Sequence, residues 1–329
     1  MSQREVSVAS KLFSFNWFVI GSMGAALALA SILTGFSIKP TSALWPFGLA
    51  GGYILVAFYK ARRSQSGDPL VFFVLGSTGQ ILLIPVLGAP LTYIVASANL
   101  PLQDTGLNAI DHALGLDWLS YFEFIYDRRT LLTACVWAYA MIGWPTFGVP
   151  VVLGLTRRFR RLQEFTLAFA LALIVTIVIS IVVPAMGTYD FLKYFPNSDI
   201  FTPSAYLDQL RDLPLVRNGT LRQLDLLELG GIVTFPSFHA AAAVLYLWAF
   251  WAVPWMRLIA LLANIAMLLA TPVVGGHYFV DVFAGIAVAV GAILAARQIS
   301  TWATLTHAVS AGNSSVPSAS GVNFPVSIK

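Results

Sequence analysis

The chain has 329 residues, of which 58% are hydrophobic and 10% charged, with a mean hydropathy of +0.78. Soluble domains run at about 45–50% apolar and 25% charged, so the composition excludes an ordinary soluble enzyme and a disordered chain. The formal net charge of +4, from 19 Lys and Arg against 15 Asp and Glu, is too small and too scattered for a nucleic-acid-binding patch. We expect an all-α polytopic membrane bundle surrounded by membrane lipids, with no nucleic-acid partner.

A span needs about 20 mainly apolar residues to cross roughly 30 Å of hydrocarbon. The apolar pattern predicts eight, over 17–38, 42–59, 70–96, 131–155, 165–187, 238–256, 258–276 and 278–296. The first run contains Ala28-Leu29-Ala30, a triplet like a signal-peptidase site, but stays apolar through Ile38 and so favours an uncleaved span. Residues 97–130 carry Asp104, Asp111, Asp117 and Trp118 among spaced apolar residues, the pattern of an amphipathic helix on a membrane surface. Cys135 is the single cysteine, which excludes an internal disulfide and a cysteine-based zinc site; its apolar neighbours predict an inert buried thiol. Residues 188–235 form a second long polar segment, with a short helix predicted at Ser204–Leu213. Asn218-Gly219-Thr220 fits the N-glycosylation pattern there, although so short a pattern also arises by chance. From about residue 298 the chain is rich in Ser, Thr, Ala and Val and reads as a disordered tail.

Lys and Arg set the orientation. With both termini cytoplasmic, twelve fall inside (Arg4, Lys11, Lys60, Arg62, Arg63, Arg157, Arg158, Arg160, Arg161, Arg257, Arg297 and Lys329) and seven outside (Lys39, Arg128, Arg129, Lys193, Arg211, Arg217 and Arg222). The inside loops are also the shorter ones, which strengthens the bias. The expectation is an integral protein of a bacterial inner membrane, both termini cytoplasmic.

Ionisable residues in an apolar setting are costly and mark function. Two such places stand out: Thr234-Phe235-Pro236-Ser237-Phe238-His239-Ala240 opening the sixth span, and Gly275-Gly276-His277-Tyr278-Phe279-Val280-Asp281 opening the eighth. The 37 residues between His239 and His277 make a helical path of about 55 Å, or two bilayer crossings, with Arg257 near the turn. One helix descends and the next returns, so both histidines reach the same outer face. His277 and Asp281, four apart, share a helix face. The carboxylate would fix one ring nitrogen, leave the other as a nucleophile and offset positive charge on the ring. His239 suits a general acid for a departing alkoxide. Pro236 and Ser237 suit a helix start whose N–H groups attract an anion, phosphate above all, and Gly275-Gly276 allows close backbone approach. His112 and His307 read as solvated bystanders. No carboxylate cluster or His pair has metal-ligand spacing, so neither a metal nor another cofactor is expected.

Phe235-Pro236-Ser237-Phe238-His239-Ala240 and His277-Tyr278-Phe279-Val280-Asp281-Val282-Phe283-Ala284-Gly285 resemble the second and third signature blocks of the type 2 phosphatidic acid phosphatase superfamily. The FPSFHA form is similar to its inositolphosphotransferase branch, which includes inositol phosphorylceramide synthases. The resemblance implies a six-helix core over 69–297 preceded by two further helices in 1–68, with the compositionally read tail over 298–329 following it. It also implies a phosphohistidine mechanism, with His277 as nucleophile, Asp281 as its partner and His239 as leaving-group acid. Two departures stand out: the chain contains no Arg-Pro of the usual first block, and the Arg usual six residues before the third-block histidine is Thr271. Phosphate calls for cationic donors. Arg217 and Arg222, just before the second block, are the first candidates beside Ser237, with Lys193, Arg128 and Arg129 as reserves.

The expected function is a lipid phosphatase or phosphotransferase acting on a lipid phosphate at the extracytoplasmic face. A proton-coupled transporter would need charged residues near mid-membrane and broken, paired helices. A bis-histidine haem protein would leave Asp281 and Pro236-Ser237 unexplained.

Overall fold

In hydrocarbon every backbone N–H and C=O must be bonded within the chain, so apolar runs of this length fold as helices. The computed structural model describes residues 3–63, 68–197 and 199–313. Its helices are α1 (Gln3–Thr34), α2 (Pro40–Arg63), α3 (Leu70–Ala96), α4 (Asp104–Ala113), α5 (Trp118–Tyr126), α6 (Arg129–Ala140), α7 (Pro145–Leu155), α8 (Phe159–Val182), α9 (Thr188–Phe191), α10 (Ser204–Arg217), α11 (Phe238–Trp251), α12 (Arg257–Val274) and α13 (Phe279–Asn313). A parallel pair of two-residue strands, β1 (Ser37–Ile38) and β2 (Gln223–Leu224), ties the α1–α2 link to the segment after α10.

The expected eight uniform spans are corrected in two places. Six helices among the described residues are long and apolar enough to cross a membrane: α1, α2, α3, α8, α12 with its leading turn, and α13. The segment expected as a span at 131–155 is instead α6 and α7, bent by 62° at a short break. Pro145 supplies the cause, because it has no N–H to continue the hydrogen-bond ladder, and a 3-10 turn at Met141–Gly143 takes its place. The segment expected at 238–256 yields α11, only 14 residues long, or about 21 Å.

The polar segments also differ from expectation. Residues 97–130 form two short helices rather than one surface helix, and Asp104, Asp111 and Trp118 are buried in the protein. Helix α10 matches the predicted short helix and extends it to Arg217. Helix α13 runs on to Asn313, well into the expected tail, while 314–329 lie outside the described residues.

Helix α8 is the hub, packing against α1, α3, α11 and α13; α12 packs against α11 and α6. Of the most apolar stretch of α8, 61% is buried inside the protein, against 17% for α2, which lies at the periphery on α3. Polar side chains key α1 to this hub, as interhelical hydrogen bonds do where no apolar contrast drives association. The Asn16 amide donates to the Gln163 carbonyl and side-chain oxygens at 3.2 and 3.1 Å, Gln163 Nε2 donates to Ser77 Oγ at 2.8 Å, and Gln80 Nε2 donates to the Phe13 carbonyl at 3.0 Å.

The bundle closes tightly where α11 begins against α13. A Cβ on Gly285 would lie 2.2 Å from the Ser237 carbonyl oxygen and 3.0 Å from Ala240 Cβ. Backbone on the facing side cannot yield as a flexible side chain would. Gly285→Ala should therefore cost about 1–3 kcal/mol by overpacking and depress turnover, read as a lower Tm in detergent and a lower specific activity. A variant with wild-type Tm and activity would refute the close crossing.

Candidate active site

Each histidine stands at the start of a helix, at the same end of the α11–α12 hairpin. Ser237 adopts an extended conformation and caps α11, accepting the Ala240 N–H at 3.4 Å, while its own N–H donates to the Asp281 carbonyl at 3.0 Å. That backbone bond joins the two signature segments directly. His277 lies two residues before the first helical residue of α13, so its pairing with Asp281 is not that of two residues within a regular helix. Gly276, at φ +65°, turns the chain so that His277 Nδ1 faces Asp281 Oδ2 at 3.2 Å. The same carboxylate oxygen accepts the Tyr278 N–H at 2.9 Å. His277 is 4% exposed and Asp281 fully buried.

These contacts orient the ring. With Nδ1–H donated to the carboxylate, Nε2 keeps its lone pair and accepts the Ser237 hydroxyl at 3.4 Å. Ser237 is thus placed beside the ring nitrogen that Asp281 leaves free. His239 stacks on Tyr139, the ring centroids 3.8 Å apart and 11° from parallel. Both histidines and Tyr139 line one cavity of about 190 Å³, with Thr92, Thr176 and Gln209 as further polar groups and Leu173, Ile232 and Phe238 among its apolar walls. Gly275 also lines it. A Cβ there would come within 2.8 Å of the Tyr139 hydroxyl and 2.7 Å of the His277 ring, so the glycine leaves room between these two side chains.

The cation candidates lie elsewhere. Arg217, at the end of α10, donates Nη2 to the Leu100 carbonyl at 2.9 Å. Arg222 donates to the Val216 carbonyl and covers the Phe36 ring at 4.5 Å, bracing the β1–β2 region. Lys193 pairs with Asp190, and Arg128 lies over Phe124. Among the described residues no Lys or Arg lines the cavity. Thr271, where the superfamily's third block usually has arginine, bonds back to the Met267 carbonyl within α12. His112 is exposed on α4; the side chain of His307 lies outside what the structure describes.

Four residues of the site escaped the sequence argument. Asp111 accepts the N–H groups of Phe279 and Val280 at 2.7 and 2.8 Å, capping α13 from another helix. Burial pushes its carboxyl above the usual carboxylate range, and those two N–H donors pull it back. Asp104 accepts the N–H groups of Met186 and Gly187 and the Tyr278 hydroxyl at 3.0 Å. The two aspartates, with Tyr278, fix the segment carrying His277, and Tyr139 fixes His239. The available signal was spacing: positions 104 and 111 are two helical turns apart and so share one face of α4.

The residues that this scaffold gathers coincide with a known family. A family model described as the PAP2 superfamily matches residues 105–295. The chain belongs to the PAP2 superfamily. The match opens inside α4 and runs through both histidines and Asp281, leaving α1 to α3 outside it. Members of the PAP2 superfamily are phosphatases or phosphotransferases, which together with the long apolar helices fits an integral membrane phosphatase. Membership bears out the resemblance at the level of the superfamily and not of the inositolphosphotransferase branch. No curated protein and no solved structure matches the chain.

If Asp111 holds α13, Asp111→Ala should remove about 1 kcal/mol of stability as a lost cap and lower turnover. Asp111→Asn, which keeps one acceptor oxygen, should recover much of both. Tm and phosphate release measured side by side check this, and an alanine variant equal to wild type in both would contradict it.

Proposed function

We propose that the chain is an integral membrane enzyme that removes or transfers the phosphoryl group of a lipid phosphate through a covalent phosphohistidine on His277. The observation that carries this reading is the His277 ring, held at Nδ1 by Asp281 with Nε2 beside the Ser237 hydroxyl, in a residue that lines a cavity shared with His239. In the first step Nε2 attacks phosphorus, the Nε2–P bond forms and the P–O bond to the lipid alcohol breaks. His239 gives its proton to the departing alkoxide. Asp281 offsets the positive charge that appears on the ring. In the second step His239, now neutral, takes a proton from water, the water oxygen attacks phosphorus and the N–P bond breaks. His277 is restored and phosphate leaves. A lipid hydroxyl in place of water gives transfer by the same steps. Thr176 Oγ, buried without a partner, and the Tyr139 hydroxyl are the neutral groups placed to meet phosphate oxygens, with Ser237 beside the nucleophile.

Topology supports the extracytoplasmic placement of the site, with both termini cytoplasmic. The Glu5 end of α1 and the Arg297 end of α13 line one groove at the opposite end of the bundle from the histidines, where the short, Lys- and Arg-rich connections also lie. The apolar cavity walls favour entry of a lipid over a free sugar phosphate.

One observation favours transfer of a phosphodiester headgroup as a second reading. Burying a dianion against a single imidazolium is costlier than burying a monoanion, and the described cavity lining holds no Lys or Arg. A phosphodiester carries one negative charge where a monoester carries up to two.

Purified protein should be assayed for phosphate release from phosphatidic acid, ceramide phosphate and polyprenyl diphosphate, and for headgroup transfer from phosphatidylinositol to a hydroxyl acceptor. His277→Ala should abolish turnover, His239→Ala should lower it by about 10²–10⁴-fold, and Asp281→Asn should reduce it without unfolding the protein. Activity should persist in EDTA. Chelator-sensitive activity restored by Mg²⁺, or equal rates for wild type and His277→Ala, would overturn the mechanism.

A further inference from the structure

At the end of the bundle away from the histidines, α8 begins in a groove of about 510 Å³ lined by Arg157, Arg158, Arg160, Arg161, Glu164 and Arg297, and by Glu5 of α1. Arg297 lies sixteen residues beyond Asp281 along α13, about 24 Å at 1.5 Å per residue. The groove therefore opens toward the other face of the membrane and stands apart from the catalytic cavity.

Its electrostatics are one-sided. A helix N-terminus carries the positive end of the helix dipole and is normally complemented by acidic residues. The first turn of α8 has no acidic residue, and Arg158 at its N-cap makes no side-chain capping bond. The N–H groups of Phe159, Arg160 and Arg161 find no backbone acceptor among the described residues. Arg157 is neutralised by Asp68. Glu164 takes Arg160 Nε at 2.9 Å and Arg161 Nη1 at 3.9 Å. Arg160 Nε also reaches Ser300 Oγ at 2.9 Å, and Arg161 lies over Trp248 at 4.1 Å, so both are fixed in place. Among the described residues, no acceptor pairs with the side chain of Arg158 or Arg297, and both are exposed. Retention of arginines on the cytoplasmic side by topology alone explains their number. It does not explain their convergence on the first turn of α8, an arrangement whose charge and N–H donors favour an anion.

A second feature identifies the source of that anion. Arg297 also borders a shallow, mainly apolar groove along α13, lined by Leu294, Gln298, Thr301 and Trp302. Leu294 and Trp302 are exposed, and tryptophan is favoured at the headgroup level. We propose that the α8 groove is a non-catalytic site for a phosphate group, supplied by an anionic phospholipid whose acyl chain lies along α13. Phosphate oxygens accept the α8 first-turn N–H groups and the Arg158 and Arg297 guanidiniums.

The test uses the full chain in neutral detergent, titrated with dioleoyl phosphatidylglycerol, with dioleoyl phosphatidylcholine and with inorganic phosphate. Phosphatidylglycerol should raise Tm by about 3–5 °C in the manner of any ligand of the native state, with the shift reduced in high salt. Phosphatidylcholine should not. The Arg158→Gln/Arg297→Gln double variant should need about tenfold more phosphatidylglycerol for the same shift, equivalent to one decade in affinity. His277→Ala should respond as wild type does. A shift lost in His277→Ala and kept in the double arginine variant would place the lipid in the catalytic cavity and overturn the proposal. An equal shift with inorganic phosphate alone would keep a phosphate site and overturn the lipid source. No shift with either would overturn both. Independently of the variants, a photoactivatable phosphatidylglycerol should label residues 155–164 and 294–302 of the wild-type protein; labelling confined elsewhere would refute the assignment.

Discussion

The crossing of α11 over the first turns of α13 is the contact on which the site depends. Gly285 leaves room for the Ser237 carbonyl, and the Ser237 N–H then reaches the Asp281 carbonyl at 3.0 Å. These two contacts fix the start of one helix against the start of another, with His239 on the first and Asp281 on the second. The Ser237 hydroxyl consequently lies beside His277 Nε2, and the two imidazoles border one cavity. A looser crossing would leave each residue in place along the sequence and lose the constellation, since about 1 Å of displacement is enough to spoil reacting geometry.

The short α11 has a related consequence. At about 21 Å it is shorter than the hydrocarbon core, so a helix that ends at the far interface begins below the near one. Irregular backbone at membrane depth is tolerated where it lines a cavity or is packed in protein, and the segment from Gly230 to Val233 does line the cavity. It is satisfied jointly from α3 and from the polar segment around α10. The Tyr93 hydroxyl receives the Gly230 N–H and donates to Asp212, which Arg211 grips at 2.6 and 2.9 Å. Burial pushes the Asp212 carboxyl up, and the Arg211 and Tyr93 hydrogen bonds outweigh it to leave the group below the usual range. The polar loops are thus part of the cavity wall rather than a covering over a finished bundle.

The fold class and the histidine pair were legible in the sequence because they rest on long-wavelength patterns: apolar run length, and a 37-residue separation that returns the chain to its starting face. The bend at Pro145 and the brevity of α11 were not. Proline does break helices, but the surrounding apolar run masks a break whose ends both remain in hydrocarbon. Asp104 and Asp111 were seen and misplaced, since a charged residue in an amphipathic segment usually faces water, whereas these two find backbone N–H donors on α13 and in the Met186–Gly187 turn. Arg217 and Arg222 were drawn toward the site by sequence proximity to Ser237. The chain between them and α11 is long enough to carry both guanidiniums to other acceptors.

The distribution of cations then becomes the main chemical question of the molecule. On the proposed reading, a cavity with no Lys or Arg among its described lining would hold phosphate by hydroxyls, by amide dipoles and by the bond to His277 itself. Such donors discriminate little between phosphate and its esters, but they penalise each additional negative charge. Meanwhile the unpaired guanidiniums converge at the other end of α8, about one bilayer away. A single helix thus has its positive N-terminal end and its surplus arginines on one side, and on the other its Thr176 turn facing a cavity with no Lys or Arg among its described lining. On the proposed readings, an anionic lipid bound statically at the first and a phosphate turned over at the second would require opposite electrostatics. Strong cation pairing suits retention, whereas weak ground-state binding would leave stabilisation for the proposed transition state, in which charge would build on the leaving oxygen and the His277 ring.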